Sequence, residues 1–433
     1  MMYNINMKLT YKYCLFPTKR QQTILNKILA ECCWLYNHFL EERKNSWEKE
    51  KKSINYHAQA TSIPELKKDR QSLSNIYSQV LQNVAIRIDL AFQAFSRRIK
   101  AGEKPGYPRF RGVGWYDSFT YPQTGFKIKN KTLEFSKIGS VKIKLHRPIK
   151  GDIKTCTIRR QRNKWYACFS CKVKPQPFKK SKEAIGIDVG LENFATLSNG
   201  EKIKNPRFFK TDQKALAKAQ RKLSKQTKGS PERKKVKKVV VRIHEKITNR
   251  RNNFCHQEAR KIINRFGIIC IEDLSINEMQ RNNFRNINRS IGDVAWGQFA
   301  QYLSYKAVGA DRTLIRVNSA YTNQTCSRCG YRQVKKLSEC IHHCSSCGLE
   351  LDRDLNASIN ILALGLKSIG IQSIEAPEFI RGSSHLAKRN AKLREQPVAS
   401  ANSGMVIGPK RMCVSRKAVL ALLSCDTQKK GGR

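Results

Sequence analysis

Residues 184–199, AIGIDVGLENFATLSN, constrain the fold more than any other stretch of the chain. Ile185, Ile187 and Val189 alternate with Gly186, Asp188 and Gly190, the period of a β-strand. A second apolar run covers 194–197, and Asn199-Gly200 is a strong hairpin turn signal. The stretch reads as strand, tight bend, strand. The alternation sets a carboxylate, Asp188, on the opposite face from Ile187 and Val189. An acid in a strand more often serves a turn or a hydrogen bond, so Asp188 gains weight only if other carboxylates stand in suitable places.

Two do. Residues 267–274, GIICIEDL, are a continuous apolar run ending in acid, the pattern of a central strand covered on both faces. Functional groups of such sheets sit just past the strand's carboxyl end. Glu272 and Asp273 lie there, where capping of the next turn is an equally good reading. In 351–365, LDRDLNASINILALG, Leu355, Ile359 and Leu362 follow helical spacing. Asp352 suits an N-cap, which leaves Asp354 in the first turn, free to face a site. Three separated acids, on a hairpin strand, at a central strand end and on a helix start, suit a two-metal nuclease. Carboxylates bind Mg²⁺ through oxygen; one ion activates water and the other stabilises the leaving 3′ oxygen.

Between the second and third acids stand two CxxCG knuckles, Cys326/Cys329 and Cys344/Cys347, with 14 residues between them. Each pair spans one edge of a tetrahedron, so the four suit a structural Zn²⁺ site with no open position. The glycine after each second cysteine permits a tight turn that aims backbone N–H groups at sulfur. Cys340, His342 and His343 compete as ligands but lack the paired spacing.

The partner class follows from charge. Lys+Arg number 84 against 33 Asp+Glu, a formal net charge of +51 over 433 residues. That excess calls for a polyanion, and RNA plus DNA would neutralise more of it than a short duplex alone. A solubility device does not need this magnitude, whereas a ribosomal-protein-like role shares it. A hydrophobic content of 40% is enough for packed domains and excludes a disordered basic chain. The length implies two or three domains. Most of the 15 cysteines, such as Cys32, Cys33 and Cys270, lie in apolar contexts as reduced core residues. Neither a secretory signal nor an apolar run of about 18 residues is present, so a soluble, cytosolic, reducing location is expected.

Along the chain, 7–16 alternates as an opening strand that Pro17-Thr18 breaks. Helical spacing follows over 18–44, with Thr18 as N-cap, and again over 63–72 and 75–99. Strand-like runs at 126–128, 132–135, 141–145, 155–160 and 165–173 suggest a small barrel or sandwich. Within 106–111, GYPRFR, Tyr107 could stack on a base, and Arg109 and Arg111 are the better candidates for phosphate contact. The aromatics Trp115, Phe119 and Tyr121 are individually better explained as barrel filling. Residues 214–265 read as two long basic helices separated by 226–231. Residues 211–260 carry 16 Lys+Arg against 4 Asp+Glu, and the stripe Val236, Val240, Ile243, Ile247, Phe254 and Ile262 implies one buried face. Lys234, Lys235 and Arg242 are the candidate phosphate contacts there. Residues 282–289 read as a flexible loop, 294–307 as a helix and 313–317 as a strand.

Residues 7–365 resemble the TnpB (OrfB) family of transposon-encoded RNA-guided nucleases, relatives of type V CRISPR effectors. The resemblance is carried by the opening strand with Pro17-Thr18-Lys19 and Gln21, by Tyr36-Asn37, and by Gly106-Tyr107-Pro108-Arg109-Phe110. It continues through Gly186-Ile187-Asp188-Val189-Gly190, Ile271-Glu272-Asp273-Leu274, both cysteine pairs and Asp352-Arg353-Asp354-Leu355-Asn356-Ala357. It implies an α+β multidomain chain: a wedge-like β-barrel over 1–18 and 104–182, a helical recognition lobe over 19–103, and an RNase H-like (RuvC) α/β domain over 183–371 with a zinc-binding insertion at 322–350. It implies Asp188, Glu272 and Asp354 as catalytic acids holding Mg²⁺ or Mn²⁺. The implied partners are a guide RNA encoded by the element and a double-stranded DNA target, read beside a short motif. A monomer in the RNA complex and a prokaryotic cytoplasm, with the nucleoid when DNA is bound, complete the expectation, and no membrane is involved. Residues 372–433 are expected to be a basic, disordered tail, with no patterning past 376 beyond a short apolar run at 419–423. A non-catalytic regulator of transposition is the main alternative, although all three acids are present. A strand-joining transposase is weaker, since the chain has no His-hydrophobic-His plus Tyr signature.

Overall fold

The computed structural model describes residues 7–371 except 113, 163, 175–180, 282–283, 319 and 336–338. The tail expected at 372–433 lies outside the described residues. The chain divides into two compact units between Pro175 and Gln176.

The first unit opens with β1 (Met7–Phe16) and α1 (Lys19–Glu50). The break between them is a reciprocal cap: Thr18 Oγ1 accepts from Gln21 N–H at 3.3 Å, and Gln21 Oε1 accepts from Thr18 N–H at 3.0 Å. Then come α2 (Tyr56–Asp69) and α3 (Ser78–Lys100), followed by β2 (Ser118–Tyr121), β3 (Phe126–Lys129), β4 (Thr132–Phe135), β5 (Gly139–Lys144), β6 (Asp152–Gln161) and β7 (Lys164–Val173). Helix α2 starts seven residues before the expected 63 because Asn55, whose side chain accepts from Ala58 N–H, supplies the cap.

The strands form one antiparallel sheet in the order β2-β6-β7-β1-β5-β4-β3. Its two edge strands, β2 and β3, are joined only by residues 122–125, so the sheet must curl until its edges nearly meet. Tyr121 of β2 stacks on Phe135 of β4 at 5.3 Å and meets Phe126 of β3 at 6.4 Å. Phe119 and Tyr121 are buried, which makes them barrel filling, whereas Trp115, expected with them, is 79% exposed and does not fill the barrel. The sheet and α1–α3 share one core, in which Tyr13, Phe39, Leu81 and Phe169 are fully buried.

The second unit contains β8 (Ala184–Asp188), β9 (Asn193–Leu197), β10 (Lys202–Lys204), α4 (Phe208–Ser224), α5 (Pro231–Arg265), β11 (Ile268–Glu272), α6 (Ile276–Arg281), α7 (Arg285–Val294), α8 (Trp296–Ala310), β12 (Thr313–Val317), β13 (Ile341–His343), β14 (Glu350–Asp352) and α9 (Arg353–Ser368). Its main sheet has the order β10-β9-β8-β11-β12, with β13 and β14 forming a separate ribbon. β8, β9 and β10 are antiparallel hairpin neighbours, whereas β8, β11 and β12 run parallel. β11 is therefore central, as its unbroken apolar run requires.

The alternation along β8 and β11 assigns the two faces. Ile185, Ile187, Ile269 and Ile271 pack with Ile262, Phe299 and Leu303 of α5 and α8. Gly186 and Cys270 face α9 instead. A Cβ on Gly186 would fall inside contact distance of Ser358 O, and one on Gly365 inside contact distance of Cys270 Sγ. Two glycines thus let the α9 backbone and the sheet meet directly.

Two expectations are corrected. Residues 285–289, expected in a loop, open α7, whose Ile287, Ile291 and Val294 are buried at helical spacing; the surrounding Asn and Arg residues hide that stripe in the sequence. Of the expected buried stripe of α5, Ile247 and Ile262 are buried and Phe254 partly so, while Val236, Val240 and Ile243 stay partly exposed on the hairpin with α4. A short apolar seam against one helix cannot be fully covered.

Replacing Gly186 by Ala should force α9 off β8 and cost about 1–3 kcal/mol, read as a lowered thermal midpoint; an unchanged midpoint would show that α9 is not seated there.

Candidate active site and metal centre

The register Ile187↔Ile271 makes Asp188 and Glu272 the next residues at the carboxyl ends of adjacent parallel strands, about 4.8 Å apart. Both lie on the α9 face of the sheet. Ser358 of α9 rests on Gly186, so Asp354, one turn earlier, and Asp188, two residues later, advance toward the same end. Gly190 closes the approach: a Cβ there would stand 3.9 Å from Asp354 Oδ2. Three acids from distant parts of the chain are thereby brought together.

The surroundings of two of them, Asp188 and Glu272, disfavour charge. Asp188 and Glu272 are 7% and 9% exposed. Burial pushes the Asp188 carboxyl well above its ordinary range, and the charges of Glu272 and Asp354 push it further. Burial also raises Glu272, to about 7, although Thr322 donates its hydroxyl to Glu272 Oε1 at 3.1 Å and lowers it in part. Asp354 is partly screened by Arg353, 3.1 Å away. A nearby cation would favour the charged forms of Asp188 and Glu272, and carboxylate oxygens are donors of the kind that hard divalent cations take.

The neighbouring acids are committed elsewhere. Asp352 caps α9, accepting from the N–H groups of Asp354 and Leu355, each at 3.1 Å, and pairs with Lys202 at 2.6 Å. Asp273, largely exposed, pairs with Arg316 at 3.1 Å. Lys202 and Thr322 were not singled out from the sequence, because polar residues in loops and on short strands carry no periodic signal, and Arg353 was read there only as part of the motif at 352–357.

The four knuckle cysteines gather with their sulfurs all within 4.8 Å of one another. The Cys326–Cys347 and Cys329–Cys344 separations are 3.7 and 3.6 Å. A tetrahedral Zn–S₄ site with bonds of about 2.3 Å has edges of about 3.8 Å, so the set fits zinc. Gly330 and Gly348 adopt φ of +75° and +66° and donate N–H to Cys326 O and Cys344 O, which closes each turn. The thiols resist shared ionisation: burial pushes Cys347 up to about 12, aided by its sulfur neighbours. Cys344 goes the other way, to about 6, because its burial is outweighed by hydrogen bonds from the N–H groups of Cys347 and Ser346 together with those of the Cys329 and Cys347 sulfurs. Cys340 is exposed and stands outside the cluster.

Of the candidate nucleic-acid contacts in the first unit, Arg109 and Arg111 are exposed. The Arg111 backbone is fixed by Asn37, which accepts from its N–H at 2.8 Å and donates to its carbonyl at 2.9 Å. Tyr107 meets Phe92 and Phe95 edge-on at 5.6 and 5.4 Å, so its ring anchors the strap that displays Arg109 and Phe110. In the second unit, Lys234, Lys235 and Arg242 are exposed along the half-buried part of α5.

Two outcomes are expected. Replacing Cys326 and Cys347 together by Ser should abolish zinc retention and lower the thermal midpoint of the second unit, since binding and folding are coupled; full occupancy by metal assay would refute the site. In zinc-loaded, magnesium-free protein the folded Glu272 keeps its proton up to about 7, whereas the unfolded carboxyl releases it near 4.5. The folded form therefore holds the extra proton between those values, and stability is lost as pH rises through that window. Thermal melts should show wild type falling relative to Glu272→Gln across it.

Comparison with known proteins places these features in a family. Residues 168–283 match the OrfB family of IS605 elements, described as "probable transposase". Residues 296–361 match a Cas12f1-like TNB domain, and 3–52 a helix-turn-helix domain. A protein of Streptomyces pristinaespiralis, provisionally named an RNA-guided DNA endonuclease, is 31% identical over 398 residues, covering 90% of this chain and 96% of its own length. InsQ of Escherichia coli K12, with the same provisional name, is 29% identical over 374 residues, covering 82% of this chain and 92% of its own. A Cas12f1 chain solved with single-guide RNA and target DNA shares the fold at a TM-score of 0.53 and 14% identity, covering 82% of this chain and 98% of that one. The chain belongs to the TnpB (OrfB) family.

Proposed function

We propose that this chain is an RNA-guided DNA endonuclease of a transposable element, cutting a double-stranded target by a metal-dependent RuvC-type reaction. The observation that carries the reading is the convergence of Asp188, Glu272 and Asp354 at one end of β8, β11 and α9, with two of the three desolvated. The names of the relatives support the same activity. In this reading the second unit from 183 to 371 is the RuvC-like nuclease domain, with the zinc module at 322–350 inserted. The first unit supplies the wedge-like barrel (1–18 and 104–182) and the recognition helices (19–103), which hold guide RNA as a monomeric complex in the bacterial cytoplasm.

Bound at the three acids, Mg²⁺ or Mn²⁺ would supply an activated water and a counter-charge for the leaving 3′ oxygen. The chain's own residues prepare for that. Burial keeps Asp188 and Glu272 from sharing full charge until a cation arrives. Thr322 holds one oxygen of Glu272. Arg353 fixes Asp354, and the cap and the Lys202 pair keep Asp352 out of the site. Arg109, Arg111, Lys234, Lys235 and Arg242 offer exposed cations to phosphate, a contribution that weakens with salt.

The test is cleavage of a matching duplex by protein purified with its bound RNA, in Mg²⁺. Ala at Asp188, Glu272 or Asp354 should reduce cleavage to background and leave RNA binding intact. Asp352→Ala should keep cleavage and lose about 1 kcal/mol of stability with its cap. Cleavage that survives Asp354→Ala and disappears in Asp352→Ala would overturn the assignment. Wild-type protein that binds RNA and DNA but never cuts would favour the regulator instead. Sequencing of copurified nucleic acid should return one long structured RNA; RNA-free protein fully active on DNA would remove the guide from the reading.

A further inference from the structure

The loop between β12 and the cysteine cluster is tied to the acid site at each of its ends. Thr322, buried, donates its hydroxyl to Glu272, and its carbonyl accepts from Asn360 Nδ2 of α9 at 2.8 Å. The same Asn360 nitrogen donates to Thr325 O at 2.7 Å. One turn earlier Asn356, wholly buried, donates to Thr325 O at 2.8 Å and accepts from Ser327 N–H at 2.9 Å. Thr325 and Ser327 flank Cys326. From the far side of the module, Cys340 O accepts from Arg353 N–H at 2.9 Å and Glu339 O from Arg353 Nη1 at 3.1 Å. The Arg353 guanidinium also holds Asp354 Oδ1, at 3.1 and 3.2 Å.

Two of the three carboxylates are therefore gripped by residues whose own places are set by the backbone around the cysteines. Simple packing of a loop on a helix does not call for this arrangement. A buried amide is costly unless both its ends are satisfied, and Asn356 satisfies both on the two residues beside a metal-type ligand. Loss of a metal held at Cys326 would free Thr325 and Ser327, remove the partners of Asn356 and loosen Thr322 on Glu272.

We propose that the zinc module is a positioning device for the acid site, with Thr322 the positioning residue for Glu272 and Asn356 and Asn360 the links. Zinc occupancy at the four cysteines and divalent-cation binding at the three acids are then thermodynamically coupled, and the coupling is reciprocal. This rests on the reading of the acids as a cation site.

The test uses the full-length, zinc-loaded chain with Mn²⁺ as probe, free ion being counted by its electron paramagnetic resonance signal. Asp188→Ala, run in parallel, subtracts Mn²⁺ held elsewhere. Thr322→Val, which keeps the shape and loses the hydroxyl, should weaken acid-site binding about tenfold or more, and Thr322→Ser should return it to within about threefold of wild type. A second arm needs no change at Thr322: the rate at which a chromogenic chelator strips zinc, with and without Mg²⁺. Coupling requires Mg²⁺ to slow stripping about fivefold or more in wild type and to have no effect in Asp188→Ala. A Thr322→Val isotherm superposed on wild type, or stripping indifferent to Mg²⁺, overturns the coupling. Equal Mn²⁺ binding by wild type and Asp188→Ala overturns the cation site itself.

Discussion

Helix α9 comes unusually close to the sheet at two points, because Gly186 and Gly365 carry no Cβ where they meet the Ser358 carbonyl and the Cys270 side chain. Everything at the site depends on that closeness. A Cβ at either point would push the helix away from the strand, and a short Asp on the helix would then stand further from the one on the strand below. Here Asp354 contributes to the charge felt by both Asp188 and Glu272. The face opposite is conventional, with Ile187 and Ile271 packed on α5 and α8. One sheet thus has a structural face and a chemical face, divided by the alternation of two short strands.

The electrostatics of the molecule oppose one another on two scales. Across the surface the excess is cationic, and its long range suits the capture of phosphate backbones. Within the acid site three carboxyl groups lie close together, and burial disfavours the charged form of two of them. The two do not cancel, because solvent screens the exposed lysines and arginines over about 10 Å, while the buried carboxylates are screened little. The acids that would blur this division are neutralised in place, Asp352 by its cap and Lys202, Asp273 by Arg316.

The cysteine module works under a different limit. Its buried apolar group is Cys326, Cys344 and Leu349, with Cys347 and Leu351 alongside. So few side chains cannot hold a fold of their own, and sulfur–metal bonds are the usual substitute for a core. The module then borrows rigidity from α9 through Asn356 and Asn360, and the hydrogen bonds that supply it run on to Glu272 and Asp354.

Much of this was legible in the residues. The alternation at Ile185–Val189 set Asp188 on the face away from Ile187, the apolar run before Glu272 demanded a central strand, and the paired CxxCG spacing required four converging sulfurs; each is a local pattern whose period or spacing is itself geometric. The buried stripe of α7 was hidden, since Asn and Arg residues around Ile287 and Ile291 outnumber the apolar ones. Glu272 was preferred to Asp273 only through the family resemblance, and the approach of Asp354 to two acids far away in sequence follows from strand register and helix docking. Thr322, Asn356 and Asn360 were beyond reach of the sequence for the same reason. A hydrogen-bonding side chain takes its role from the partner it meets, and only the tertiary structure decides which partner that is.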